Sequence, residues 1–373
     1  MTRTLLEISR YFWRNKAATI AEISEKLGID KSTVSRRIAG LKALGFLQAQ
    51  GVIEPGSSGG RKTTLYSLAS DRFFVVGLDV QQDGVEGVVS NLSGDPVESF
   101  FVRKKVDRNN IVSFIASIVL ERCKKYDLYG VGISLPGIID RKKGMVVYSK
   151  ALGITELPLG KEISQKLGLP VIIDNDSNVG ATYYASILSQ SSKNVLYFYI
   201  SVPYKVKDPV GVGVGISMNN KLYHGSNSHA GEYEFKLSLV GPDLSDDLDY
   251  ASFLNEYTDE QIAGAVLDFV ARISQKLAFL VSIFDPDTVV IDGNVRFLPD
   301  AILSSLVESI HRNVFMNDRR KISFVKEKTN DSPNAIGASV SFLKEIFSNE
   351  DQLRRLLNTM KKEAQTLEQT GSR

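Results

Sequence analysis

The sequence predicts a mixed α/β chain in which a small α+β unit precedes a larger body. Basic charge is concentrated in the first 70 residues, and helical periodicity dominates residues 4 to 44. From Phe73 onward, strand-rich apolar runs alternate with helical ones in two successive stretches. With 373 residues the chain exceeds one typical domain and is expected to divide into two or three packed units. An apolar fraction of 43% and a charged fraction of 24% are those of an ordinary soluble globular protein. No run of about eighteen apolar residues is present to span a bilayer. The start, MTRTLLEISRYFWRNK, lacks the pattern of a secretory signal, so a cytoplasmic location is expected. Cys123 is the single cysteine, which permits no internal disulfide and no cysteine-rich zinc cluster.

Charge is uneven along the chain. Residues 1 to 70 hold eleven Lys and Arg against five Asp and Glu, about +6, and the rest carries about −4. An isolated basic segment suits a polyanion, because neutralised phosphates release their condensed counterions. From charge alone, a solubilising surface is the plain alternative.

This front segment reads as three helices. Residues 4 to 14 (TLLEISRYFWR) space Leu5, Ile8 and Phe12 along one face. Thr19 caps IAEISEKL, which stops at Gly28, and Asp30 caps KSTVSRRIAGLKAL. In the third helix Val34, Ile38, Leu41 and Leu44 turn inward, leaving Ser32, Thr33, Ser35, Arg36 and Arg37 outside. A tight turn between two helices, with short polar and Arg side chains opening the second, is what a helix-turn-helix needs to enter the major groove of double-stranded DNA. Arg reads guanine bidentately, whereas Ser and Thr mostly hold phosphates. Two strands, FLQAQGVIE and TTLYSL, then flank a Gly- and Ser-rich loop and form a wing. Arg61 and Lys62, after the pair Gly59 and Gly60, would reach phosphates or the minor groove. A helical protein-interaction module is the other reading of this unit.

In the body, helical runs such as IVSFIASIVLERCKKY (111 to 126) alternate with strands such as YGVGISLPG (129 to 137) and PVIIDNDS (170 to 177). A second stretch begins with VLYFYI (195 to 200) and GVGVGIS (211 to 217). Periodicity alone does not separate two lobes around a cleft from one doubly wound sheet. The segments GLDVQQDGVEGVVSNLSGDPV, GVGISLPGIIDRKKGMVVYSKALGITELPLGKEISQKLGLPVIIDNDSNVGA, GVGVGISMNNKLYHGSNSHAGE and SIFDPDTVVIDGNV resemble successive motifs of the ROK family. That family groups bacterial repressors with sugar kinases, and the resemblance spans most of residues 73 to 345. It implies a two-lobed actin-like ATPase (ribonuclease H-like) body, here preceded by an α+β winged helix-turn-helix as in the family's repressors. The expected units are residues 1–70, the two lobes 71–190 and 191–333, and C-terminal helices 334–373 that return to the body. In the last of these, Leu353, Leu356 and Met360 would pack on the body or on a second subunit.

The resemblance places Asp176 at the position of the kinases' catalytic base and Asn175 and Glu232 at sugar-hydroxyl contacts, with Gly137 in the same sugar site. His229, three residues before Glu232, is within reach of a sugar or is an exposed loop residue. A carboxylate beside an amide is also the ordinary chemistry of sugar recognition, so Asp176 can orient a ligand without catalysing anything. Standing alone, DNDSN would read as a strand-end turn closed by Asx hydrogen bonds.

The phosphate side departs from the family pattern. Asp79 is retained, but Gln81, Gln82 and Asp83 replace Gly, Gly and Thr. Val210 stands at the expected hydroxyl of the second phosphate loop, and Asp292 replaces a glycine of the adenosine loop. Asp83 adds negative charge where phosphates would sit, and together these changes argue against ATP and Mg²⁺. Glu234 and Phe235 replace the Gly and His that lead into the family's zinc site, so no metal is expected. The function these readings predict is a sugar-responsive DNA-binding regulator. It would act as a repressor, as a homodimer on operator DNA, released when a sugar effector enters the interlobe cleft. The alternatives are an ATP-dependent sugar kinase (hexose or N-acetylhexosamine) with divergent phosphate loops, and a DNA-binding protein whose body answers to a protein partner.

Overall fold

A computed structural model describes residues 3–54, 62–189, 191–201, 210–232, 259–297, 300–326 and 332–370. Its front unit follows the local signals. Helix α1 (Arg3–Asn15) buries Leu5, Leu6, Ile8 and Phe12. Next comes the short strand β1 (Ala17–Thr19), then helix α2 (Ile20–Leu27). Thr19 accepts from the Glu22 amide while Glu22 accepts from the Thr19 amide, a full capping box, and Gly28 closes the helix at φ 64°. Helix α3 (Lys31–Ala43) starts at Asp30, whose carboxylate accepts from the Ser32 and Thr33 amides, and it buries Val34, Ile38 and Leu41. Strands β2 (Leu47–Ile53) and β3 (Thr63–Leu68) form the wing, and β1 pairs with the far edge of β3. Three residues are too few to show alternation, so β1 exists only because β3 offers it an edge.

The body contains one sheet topology twice. Strands β4 (Phe74–Gln81), β5 (Gly84–Asn91) and β6 (Pro96–Arg103) form an antiparallel meander. After helix α4 (Ile111–Arg122), strand β7 (Leu128–Leu135) pairs parallel with β4. A small antiparallel sheet of β8 (Ile138–Asp140), β9 (Met145–Ser149) and β10 (Ile154–Leu157) leads to helix α5 (Leu159–Leu167). Strand β11 (Val171–Asn175) then completes the order β11-β7-β4-β5-β6. Beyond helix α6 (Asp176–Ile187), strands β12 (Val195–Ser201), β13 (Gly211–Met218) and β14 (Lys221–Leu222) repeat the meander. Helix α7 (Asp259–Phe284), strand β15 (Thr288–Asp292), helix α8 (Asp300–Asn313) and strand β16 (Ser323–Lys326) complete the order β14-β13-β12-β15-β16. Each sheet is thus a meander with two parallel strands added beside its first strand, which resolves the sequence's ambiguity in favour of two actin-like lobes.

Helices α4 and α5 cover one face of the first sheet, and α7 with α8 pack Ile273, Leu277, Val281, Leu303 and Ile310 against the second. The run predicted over 111 to 126 ends as a helix at Arg122. Helix α6 packs on β12 and β13, while α9 (Pro333–Ile346) packs on β4, β5 and β7 and meets α6. Glycines set these approaches: a Cβ on Gly77 would lie 1.9 Å from Ala335 O, and one on Gly215 would lie 2.0 Å from Ser177 O. The glycine repeat of residues 211 to 215 therefore lets a helix lie against the strand.

The front unit shares a core with the body. Ile8, Phe12, Phe46 and Leu68 join Phe73, Tyr129, Phe342 and Phe347 in one buried cluster. Helix α10 (Glu350–Thr370) adds Leu353, Leu356 and Met360 to the same cluster, so these leucines and Met360 pack within the chain. Arg72, in the short junction between the units, donates to Leu44 O at 2.7 Å and to Met360 O at 3.4 Å.

Candidate functional site

Strand β11 ends at Asn175, and Asp176 opens α6, so Asp176 stands at a helix N-terminus and not at the strand end expected for it. The Asn175 side chain decides this junction. Its Oδ1 accepts from the amides of Ser177 at 2.9 Å and Asn178 at 3.4 Å, and its Nδ2 donates to Gly137 O at 2.8 Å. Gly137 has φ 124°, and a Cβ there would lie 2.3 Å from Tyr148 O, so only glycine brings that carbonyl under Asn175. The second hydrogen of Asn175 Nδ2 is what this residue can offer a ligand.

Asp176 is buried, which raises its carboxyl to about 6 against the opposing 2.7 Å hydrogen bond from the Ser177 amide. Gly213 of β13 brings Glu232 beside it: the two residues bridge antiparallel, and a Cβ on Gly213 would lie 3.6 Å from Asp176 Oδ1. Glu232 is exposed to solvent but crowded by protein on its other sides. That partial burial, with the Asp176 charge, lifts its carboxyl to about 7. His229 accepts at its carbonyl from the Glu232 amide at 3.2 Å, while its own ring is exposed and meets Asn227 O. Asn175, Asp176, Gly137 and Glu232 therefore lie together at a candidate cleft between the two sheets, with His229 on the turn before Glu232.

Sequence reasoning missed a group directly behind this cleft. Asp174, the first residue of DNDSN, is buried and accepts from Arg141 Nη1 at 2.9 Å, and the same oxygen lies 3.2 Å from His224 Nε2. Burial alone would raise its carboxyl; the His224 hydrogen bond and the Arg141 guanidinium overcome that and hold it below the usual range. The available signal was the rule that a buried carboxylate needs a cation, but no local spacing points to Arg141 or His224.

The positions that the resemblance assigns to the phosphate side are filled by the protein's own side chains. Asp79 accepts from Ser134 Oγ at 2.7 Å and from Gln81 Nε2 at 3.3 Å. Burial, together with the neighbouring Glu86, pushes its carboxyl up to about 8. Gln82 and Asp83 form the exposed β4–β5 turn, so of the two glutamines expected to fill the phosphate approach, only Gln81 turns onto Asp79. Asp292 is buried, with the Tyr197 hydroxyl at 2.7 Å, and Val210 is buried just before β13. Arg296 lies 3.9 Å from Asp292 and 3.7 Å from Glu86. Among the described residues, no group of three or more His, Cys, Asp or Glu is placed to hold a metal ion. Glu234 and Phe235 lie outside the described residues.

At the other end of the molecule, α3 leaves Ser32, Ser35 and Arg36 exposed and Thr33 and Arg37 half-buried. The Ser32 hydroxyl is turned onto Asp30. Lys62 pairs with Glu54 across the wing at 2.8 Å, and Arg61 lies outside the described residues.

Residues 75–234 match the ROK family, and residues 4–56 match the MarR family. The chain carries a ROK family domain behind a MarR-type winged helix domain. Among relatives of this chain, the xylose repressor of Caldicellulosiruptor bescii is 25% identical over 382 residues, covering 90% of this chain and 94% of that one. The xylose repressor of Bacillus subtilis (strain 168) is 22% identical, over 87% of this chain and 91% of that one. A crystal structure of a ROK family transcriptional regulator, described as a homologue of the E. coli MLC protein, superposes with a TM-score of 0.69 at 14% identity. It covers 95% of this chain and 100% of that one, and it supports the fold. Among the described residues, no helix is long and apolar enough to cross a membrane.

Proposed function

We propose that this chain is a sugar-responsive transcriptional repressor. It holds operator DNA through α3 and the wing and lets go when a sugar enters the cleft of Asn175, Asp176 and Glu232. The observation that carries this reading is the coextensive match to repressors, front unit and body together, over 90% of the chain. The paired carboxylates supply hydrogen-bond acceptors for sugar hydroxyls, and the Asn175 amide supplies a donor. Because the xylose repressors carry that sugar in their names, D-xylose is the first effector to test. The working unit is a homodimer whose two α3 helices enter major grooves about 34 Å apart, one helical turn of the duplex. A ligand acts in this way only if it binds the DNA-releasing conformation better than the other.

The test is selection of genomic fragments by the purified protein, followed by release with single sugars. Fragments retained at moderate salt and released by D-xylose or another single sugar support the reading. Failure to retain any fragment overturns it.

A further inference from the structure

A chain of polar and aromatic contacts runs from the cleft to the front unit. It starts at His224, in the segment that delivers Glu232; Ala230 N donates to His224 O at 3.1 Å within that segment. The His224 ring meets Asp174 Oδ2 at 3.2 Å, while Asp174 Oδ1 accepts from the Asn175 amide at 2.9 Å and from Asn178 Nδ2 at 3.1 Å. Asp174 is thus tied to both the segment carrying Glu232 and the N-terminus of α6. Arg141 carries the contact onward, with Nη1 on Asp174 at 2.9 Å and Nη2 on Glu345 at 3.5 Å. Glu345 lies in the last turn of α9. Its neighbour Lys344 is half-buried; desolvation first, then the Arg14 and Arg141 charges, hold its ammonium below the usual range, and it donates to Asn220 O of the β13–β14 turn at 3.5 Å. The end of α9 is therefore gripped from both lobes.

Immediately beyond that turn stands Phe347. Its ring stacks on Trp13 of α1 with centroids 5.1 Å apart at 9°, and its carbonyl accepts from Arg10 Nε at 2.8 Å. Helix α1 in turn packs on α2, which positions α3.

We propose that His224, Asp174, Arg141 and Glu345 couple the cleft to the DNA-reading unit, with α9 as the moving element and the Trp13–Phe347 stack as its output. The two states differ at Asp174. In the arrangement seen here His224 and Arg141 share one of its oxygens. A ligand that draws the Glu232 segment inward takes His224 away, Arg141 settles fully on Asp174, and Glu345 is released. These groups are positioning residues, and the proposal rests on the sugar-responsive reading above. A two-state element biased from both ends is what coupling requires; spatial intermediacy alone does not supply it.

Trp13 is the sole tryptophan of the chain, so its fluorescence reports the seam directly. The experiment compares emission and acrylamide quenching of Trp13, without ligand, in the full-length protein and in Arg141→Met, Glu345→Gln and His224→Gln, with exposed Lys142→Met as control. Glu345→Gln changes a half-exposed group and spares the fold if Arg141→Met does not. The expected result is increased quenching in the relay variants and none in the control. Unchanged Trp13 in folded Glu345→Gln and His224→Gln overturns the proposal. A D-xylose titration of operator complexes forms the second arm. The sugar's effect on operator affinity should shrink by about 2- to 30-fold in Glu345→Gln. A full effect in that variant also overturns the relay, whereas no response in the wild type counts against D-xylose and leaves the ligand-free arm to decide.

Discussion

Arg296 Nη2 lies 3.7 Å from Glu86 Oε1, so a cation from the turn after β15 meets a carboxylate on β5 of the other lobe. This pair lies beside Asp79 and Asp292, which the sequence resemblance assigns to the nucleotide side. With Asp292 also nearby, two carboxylates face this one guanidinium, and the surplus acid opposes a triphosphate. Titration calorimetry with MgATP is expected to give no saturable binding below millimolar concentration. Tight binding would falsify the loss of nucleotide use and revive phosphoryl transfer.

Asp79 makes stability depend on pH. Its carboxyl is raised from 3.8 to about 8 by burial and by Glu86, so between those values the folded state holds a proton that the unfolded state has released. Stability from this group is complete below about pH 4 and declines as pH rises to about 8. Asp176, raised to about 6, and Glu232, raised to about 7, act in the same direction over narrower windows. Asp79→Asn should flatten the decline and stabilise the protein at pH 9 by on the order of 2–4 kcal/mol. Denaturant melts at pH 5 and pH 9 measure this, and equal slopes for both proteins would refute it.

If the proposed sugar site is correct, Asp176 and Glu232 also govern ligand binding. A sugar hydroxyl donates better to a carboxylate than to a carboxylic acid, so affinity should rise as pH passes through about 6 to 7. Asp176→Asn should abolish the sugar response yet keep operator binding. Calorimetry at pH 5.5 and 8 with D-xylose, alongside operator titrations, checks both; a mutant that still releases DNA means the ligand sits elsewhere.

On α3, Arg36 is exposed and Arg37 half-buried. Replacing either by Ala should weaken operator binding, by about 1–3 kcal/mol where the side chain reads a base. If both variants bind as tightly as the wild type at the same salt concentration, α3 is not the recognition helix.

Phe347 is buried against Trp13 and Phe46. Phe347→Ala should cost about 3–5 kcal/mol and loosen the front unit along with the body. Urea melts followed by Trp13 fluorescence and by far-ultraviolet dichroism should coincide in the wild type. Separate transitions there would mean that the two units do not share a cooperative core.

Much of the fold was legible in short stretches. The Thr19, Gly28 and Asp30 caps and the inward stripe of Val34, Ile38 and Leu41 act within one or two helical turns, and each formed as read, Thr19 gaining Glu22 as a reciprocal partner. The cleft was legible only through motif resemblance, since Asn175 and Glu232 are 57 positions apart and no local pattern joins them. Asp176 was assigned to a strand because the apolar run before it ends in Asx residues; the Asn175 cap converts that ending into a helix start.

The sequence by itself determined the helices of the front unit, the position of α3 after its Gly28–Asp30 turn and most strands of the body, because caps, periodicity and glycine placement act over a few residues. Tertiary structure alone decided which charges meet. Arg141 finds Asp174 across 33 residues and Glu345 across 204, while His224 reaches Asp174 across 50. Such pairs depend on how two sheets and two intervening helices close around a common core, and a buried carboxylate takes as partner whichever cation that closure delivers.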